Sequence, residues 1–343
     1  MTKKRILMIG VGISNSSLAR LLLDSNYKVE IREKLKRPGG MLRDMYDAKS
    51  SCYVSNYGPH IINFNKDTKK AENFLTSKVE LTPFIHKVLC LGDSGAFTYW
   101  PINNPYLKLF KILNPKKSVF DEFIIPYSKK MWGSDYKNKI DVIRSRFKSK
   151  NSNNNDFFEG KHQYQPIRGY SKMMSTLISG ASVKYNRIET FKSLKNELKD
   201  WDSIIVSSHI DEFFGFKYGK LDYRGLDFEV HNIETDGEQV LPTPVVNLNT
   251  NKKYIRATEM NLLQSKINKS KNRVIVLDFP STKNRFYPVE TKENLEKLDK
   301  YNKMAKKYDN IIFHGRLGTF KYLDIDDCVM ESLKIYEKIT KFD

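Results

Sequence analysis

Gly10, Gly12 and Ser14, followed by Glu33 and then by Gly39, Gly40 and Met41, are the residues whose types and spacing could do chemistry. Paired glycines ahead of a helix let the backbone approach a pyrophosphate, where free N–H groups and the helix dipole favour an anion. Glu33 follows the turn by about 20 residues, the distance at which a carboxylate accepts hydrogen bonds from a ribose diol. Asn15 stands where the third glycine of that fingerprint usually falls, so the turn alone is a weak signal. The pair Gly39 and Gly40 strengthens it. A second glycine loop just after the acid can pass under the same pyrophosphate, an arrangement of flavin-dinucleotide folds that NAD folds usually lack. Cysteine chemistry is not indicated: Cys52, Cys90 and Cys328 lie too far apart for a CxxC motif or a disulfide framework.

The elements that must position these residues can be read from periodicity. RILMI at 5–9 is a short apolar strand, Leu18, Leu21 and Leu22 have helical spacing, and YKVEI at 27–31 is a second strand. Together they make a strand, glycine turn, helix, strand and acid in succession. Residues 86–103 alternate and predict a hairpin around 92–95. Helices are expected within 105–145, with 120–132 the clearest piece, and over 170–178, 293–308 and 326–339. Strands are expected at 201–207 and 311–313, with a strand-rich region at 227–290, while the asparagine-rich stretch 146–168 reads as a mobile loop. The pattern is α/β, a discontinuous dinucleotide-binding domain with helical and sheet insertions.

The 343 residues suggest roughly two domains, and 40% hydrophobic residues suffice for a packed core. Lys and Arg number 59 against 40 Asp and Glu, a net charge of +19. Such a chain is attracted to polyanions. Its basic clusters, however, are dispersed and carry no RNA-binding or zinc-finger signature, so solvated surface charge is expected and nucleic acid is not. No stretch approaches the ~20 apolar residues of a membrane span. Gly10 and Gly12 interrupt the N-terminal apolar run too early for a signal peptide, so a cytoplasmic protein without membrane contact is expected.

Further motifs follow: YGPHI at 57–61, WPIN at 100–103, YSKKMWG at 127–133, FFGFKYGKLDYRGLDFE at 213–229, YIRATE at 254–259, FYPVE at 286–290 and GRLGTFKYLDID at 315–326. In this order and spacing the chain resembles the UDP-galactopyranose mutases over nearly its whole length. The resemblance implies a Rossmann-like FAD-binding domain in three parts (1–84, which also begins the sheet domain, 166–226 and 291–343). It also implies a sheet-domain hairpin (85–103), a shortened helical domain with its mobile loop (104–165) and an antiparallel substrate sheet (227–290). It implies FAD, active when reduced by NAD(P)H or another donor. Flavin N5 would attack the anomeric carbon of a UDP-sugar and expel UDP, and the sugar would reclose as a furanose.

The same resemblance assigns residues. Arg256 would be the fixed arginine on the diphosphate, Tyr287 and Tyr322 the phenols that bond it, and Tyr127 and Trp132 the aromatics near the nucleotide base. Asn103 and Asn247 would be polar substrate contacts. His60 would sit beside the flavin, with Met41, Tyr57, Gly58 and Arg316 near it, and Leu323, Asp324, Ile325 and Asp326 would open a final helix toward it. Arg146 resembles the catalytic arginine of the mobile loop, with Lys148 or Lys150 as stand-ins, and Phe157 replaces a stacking tyrosine. Other departures are Asn63 or Phe64 for a second histidine, Phe320 for a tyrosine, and Ser208 and His209 for Gly-Pro. The short stretch between Asn103 and Tyr127 leaves a homodimer an open question. UDP-galactose is the first substrate reading. UDP-N-acetylgalactosamine, UDP-arabinose, an amine-oxidase-like oxidoreductase and a polyanion-binding relative are the alternatives.

Overall fold

The computed structural model describes residues 4–133, 136–137, 144, 154–264 and 268–341. Its first layer is a five-stranded parallel sheet in the order Ser182–Lys184, Lys28–Arg32, Arg5–Ile9, Ser203–Val206, Ile311–Phe313. Alternate residues of a strand face opposite sides, and here both sides are covered. Ile6 and Met8 enter one buried cluster with Leu18, Leu22 and Val29. Leu7 and Ile9 enter another with Phe213, Tyr301 and Phe320. That is why RILMI is apolar without a break. The helices Ile13–Asp24 and Ile325–Thr340 pack together on the first face, and Lys292–Ala305 supplies Tyr301 and Ala305 to the second.

The second layer is a seven-stranded sheet in the order Tyr287–Pro288, Tyr223–Glu234, Asn272–Ser281, Arg256–Glu259, Val245–Leu248, Val88–Leu91, Phe97–Trp100. It is antiparallel except where Val245–Leu248 runs parallel to Val88–Leu91, the junction between two segments that no hairpin joins. The helix expected within 105–145 is interrupted. Asn104–Leu113 ends at Asn114, because the residue before a proline, here Pro115, is pushed out of the helical region. Helix resumes as a π turn at Phe120–Ile124, continuous with Ile125–Trp132. Among the described residues no helix is long and apolar enough to cross a membrane.

The parallel strands end at the site. Ile9 leads into Gly10, Arg32 into Glu33, Val206 into Ser207 and Phe313 through His314 into Gly315, and Gly10, Glu33, Ser207 and Gly315 all line one cavity of about 900 Å³. Ligands of open parallel sheets bind outside the carboxyl ends of the strands. The far wall of this cavity comes from the seven-stranded sheet and the helix Ile125–Trp132.

Candidate active site

The glycine turn is built to leave space. Gly12 caps the helix Ile13–Asp24 in extended backbone, with no side chain bonded to the free amides. A Cβ at Gly12 would meet nothing within 4 Å, so it would enter the cavity that Gly12 lines. The second glycine loop packs directly beneath. Gly39 N–H donates to the Val11 carbonyl at 3.0 Å, and a Cβ on Gly40 (φ +54°) would lie 3.0 Å from Gly12 Cα. Asn15, in the usual place of a glycine, straps the turn: its Nδ2 donates to the carbonyls of Ile9 at 3.1 Å and Gly10 at 2.9 Å. Glu33 accepts Val11 N–H on one oxygen and Leu35 N–H on the other, each at 2.8 Å. Burial pushes its carboxyl up against those two bonds. Ser14 is held from behind by the last helix, whose Ser332 Oγ donates to the Ser14 carbonyl at 2.9 Å.

The opposite wall carries charge. Arg256 and Asp278 face each other in register on neighbouring strands, with Nη1 and Oδ2 3.5 Å apart. Asp278 is fully buried, and neither of its oxygens has a hydrogen-bond partner. Burial pushes its carboxyl up to about 6 even though the Arg256 charge pulls the other way. Burial also raises the Tyr127 phenol, which stays neutral within hydrogen-bonding reach of Arg256. Asn247 lies directly across from Arg256 on the other neighbouring strand, its Oδ1 without a partner. At the mouth the rings of Tyr287 and Tyr322 stack at 6.1 Å and 18°. The Arg316 guanidinium lies 4.7 Å over Tyr322 and donates from Nη2 to the Leu323 carbonyl at 2.5 Å, which fixes the entry to the closing helix.

His60 lines the cavity with a shielded, unpartnered Nε2. Burial chiefly, then the charges of Arg316 and Arg256, pulls it down to about 4. It is therefore a neutral imidazole at ordinary pH.

Most of the expected site residues converge here. Gly10, Gly12, Ser14, Glu33, Gly39, Gly40, Met41, Tyr57, His60, Arg316, Leu323, Asp324 and Ile325 line the cavity, as do Tyr127, Phe157, Asn247, Arg256, Tyr287 and Tyr322. Four expected residues do not. Trp132 is five residues after Tyr127, about 140° around the helix, and its ring meets the Arg224 guanidinium at 4.8 Å. Asn103 turns back as the cap of Asn104–Leu113, accepting Tyr106 N–H at 2.9 Å. Gly58 (φ +82°) backs onto Asp278, where a Cβ would come 3.4 Å from Oδ2. Asp326 is buried beside Thr68 in the first turn of the closing helix. Arg146, with Lys148 and Lys150, lies outside the described residues.

Sequence reasoning missed His86, which is buried on the cavity wall with Nδ1 unpartnered and packs 5.3 Å from Phe157. Burial, then the Arg256 charge, lowers it to about 3. The signal was present: His86, Val88 and Cys90 follow the two-residue period of one strand face, and all three line the cavity. Cys90 and Cys328 also face it, but burial pushes their thiols up to about 12 and about 11, so they are not thiolate nucleophiles. Among the described residues no cluster of His, Cys, Asp or Glu could hold a metal ion.

Compared with known proteins, residues 122–322 match the family described as UDP-galactopyranose mutase. A probable UDP-galactopyranose mutase of Klebsiella pneumoniae is 26% identical over 97% of this chain and 94% of its own length. A dTDP-fucopyranose mutase of Escherichia coli is 27% identical over 96% of this chain and 97% of its own. A crystal structure of reduced UDP-galactopyranose mutase has the same fold, with a TM-score of 0.72 at 13% identity over 100% of this chain and 96% of that one.

Proposed function

The chain belongs to the UDP-galactopyranose mutase family of FAD-dependent isomerases, and from that premise we propose that it interconverts UDP-galactopyranose and UDP-galactofuranose. The residues fit the cofactor. The open cradle at Gly12, the uncapped amides of its helix and the unpartnered Nε2 of His60 are what a flavin dinucleotide requires of its walls. Bound and reduced, by NAD(P)H or another donor, FAD supplies the nucleophilic N5 for the anomeric carbon. In this reading the parallel sheet holds the cofactor, and the seven-stranded sheet with the helix Ile125–Trp132 holds the nucleotide sugar.

The observation that carries the proposal is Arg256, a cation on the cavity wall whose countercharge, Asp278, stands 3.5 Å away and leaves its Nε unpartnered. A guanidinium remains charged at every working pH and matches diphosphate oxygens in shape. Its attraction strengthens as the leaving diphosphate gathers charge, which lowers the barrier rather than only tightening binding. Tyr127 and Tyr287 both lie close to Arg256 on that wall. His60 would offer the cofactor a neutral imidazole. The apolar wall of Val88, Cys90, Phe123 and Ile124 excludes water that would intercept the reacting sugar.

The relative that acts on a dTDP-sugar keeps that class among the substrates to be tested. The test is to incubate reduced, FAD-loaded protein with UDP-galactose, UDP-N-acetylgalactosamine, UDP-arabinose and dTDP-fucose, and to separate pyranose from furanose by chromatography. The expected result is ring-form exchange of UDP-galactose, abolished on reoxidation. Absence of UDP-galactose exchange would refute the proposal, and exchange of another of the four would give the substrate in its place.

A further inference from the structure

Lys130 occupies an unusual place between the two halves of the substrate wall. It lies one turn after Tyr127 on the helix Ile125–Trp132, so the two side chains share a face. Its Nζ donates to the Leu248 carbonyl at 2.7 Å and to the Tyr254 carbonyl at 3.1 Å. Those carbonyls sit on either side of the reversal at 249–253, which joins the strand carrying Asn247 to the strand carrying Arg256. Between these strands the ladder closes with Leu248 N–H on the Ile255 carbonyl at 2.7 Å. The Leu248 and Tyr254 carbonyls are part-buried, and a carbonyl withdrawn from water needs a donor. One ammonium serves both.

The other end of the same helical run is fixed independently. Glu122 is fully buried in the π turn. One of its oxygens accepts both Ser94 N–H and Ser94 Oγ–H at 2.8 Å, and the other pairs with Lys117. Ser94 is in the turn between Val88–Leu91 and Phe97–Trp100, the hairpin beside the Asn247 strand in the sheet. Tyr127 therefore lies between two clamps. The one nearer Arg256 is Lys130.

We propose that Lys130 is a positioning residue for nucleotide-sugar binding: it sets the distance between Tyr127 and Arg256 by tying their elements together, without touching the ligand. The proposal rests on the functional reading of the cavity above. Burial lowers the Lys130 ammonium from its ordinary range, and the Asp93 charge holds it partly up, as expected of a cation kept for internal bonds rather than for solvent.

The test is a double-mutant cycle on oxidised, FAD-loaded protein, with the dissociation constant for UDP-galactose measured by calorimetry so that no turnover is needed. Lys130→Met keeps the stem and removes the donors. It should weaken binding about tenfold to a hundredfold with FAD content unchanged, and Lys130→Arg should retain more affinity than Lys130→Met. Tyr127→Phe should cost much less in the Lys130→Met background than in the parent, because the phenol is already displaced. Lys130→Gln serves if Lys130→Met does not fold. Glu72→Gln, remote from the cavity, should lower the melting temperature without moving the dissociation constant, which separates positioning from general stability. Affinity within about twofold of the parent for Lys130→Met, or effects of Lys130→Met and Tyr127→Phe that simply multiply, would overturn the proposal alone. A parent protein that binds no UDP-galactose would overturn the functional reading together with it.

Discussion

Gly12→Val should yield a folded protein that cannot hold its cofactor. The backbone at Gly12 is extended, with φ −83° and ψ −178°, a region valine occupies freely. Its Cβ would meet nothing within 4 Å. The apo fold therefore suffers no clash, and replacing a glycine N-cap by valine costs about 1 kcal/mol. The branched side chain would instead fill the cradle over the uncapped amides of Ile13–Asp24. A hydrogen bond from a neutral amide to a charged phosphate oxygen is worth about 1.5–3 kcal/mol. Displacing two of them removes about 3–6 kcal/mol, a factor of about 10² to 10⁴ in the dissociation constant. Flavin fluorescence quenching on titration gives that constant, and thermal melting of the apo protein reports the fold. Gly40→Ala is the contrast. There φ is +54° and the new Cβ would press on Gly12 Cα at 3.0 Å, so fold and cofactor should suffer together. Gly12→Val protein that purifies with a full complement of FAD would refute the reasoning.

Arg256→Ala should reduce turnover by about 10²- to 10³-fold, the loss of one group that stabilises developing charge, while FAD content measured by absorbance stays near the parent value. Arg285→Ala should do the reverse, lowering stability by about 3–5 kcal/mol in denaturant titration by leaving Asp211 buried and unpaired. Asn15→Ala, which loses two bonds to the glycine turn, should cost about 1–3 kcal/mol in the same assay. The melting temperature of the apo protein should fall as pH drops from 6.5 toward 4. His60, His86 and His314 are held at about 4, about 3 and about 4, so the unfolded chain takes up protons first and the stability from their neutral forms is lost on that path. Asp278, raised to about 6, works the other way between 3.8 and 6. His86→Phe should flatten the acid slope, and an unchanged slope would count against the burial argument.

The glycine-loop half of the cavity was legible because its geometry is local. Gly10 and Gly12 join one strand to one helix, and Glu33, Gly39 and Gly40 follow directly on the next strand, so their spacing along the chain nearly fixes their spacing in space. The opposite wall depends on register and rotation. Nothing local says that Arg256 pairs with Asp278 on one side and Asn247 on the other. A motif can name Tyr127 and Trp132 together, but 3.6 residues per turn sets them on different faces. Asn103 illustrates a competition the motif does not contain: a short polar side chain before a helix is drawn to the free amides of that helix, and it caps Asn104–Leu113 instead of reaching the cavity.

Arg285, Arg32, Arg273 and Arg256 differ in how fully their donors are used. Arg285 also lines the cavity, yet its donors are taken by Asp211 at 2.5 Å, Glu212 at 2.7 Å and the Leu221 carbonyl at 3.0 Å. Arg32 is gripped by both oxygens of Glu197. Arg273 spends its donors on the carbonyls of Glu238, Asn268 and Gly237. Arg256 is different. Its acid stands at 3.5 Å, too loosely placed to bond, and its Nε has no partner. Asp278 thus offsets the desolvation of the guanidinium without bonding it, Tyr127 lies within hydrogen-bonding reach, and in the proposed function the remaining donors serve an anion. A tighter pair would be more stable and less useful, because a diphosphate would first have to break it. The same asymmetry predicts that Arg256 and Arg285, both cations on one cavity, separate cleanly into a turnover effect and a stability effect.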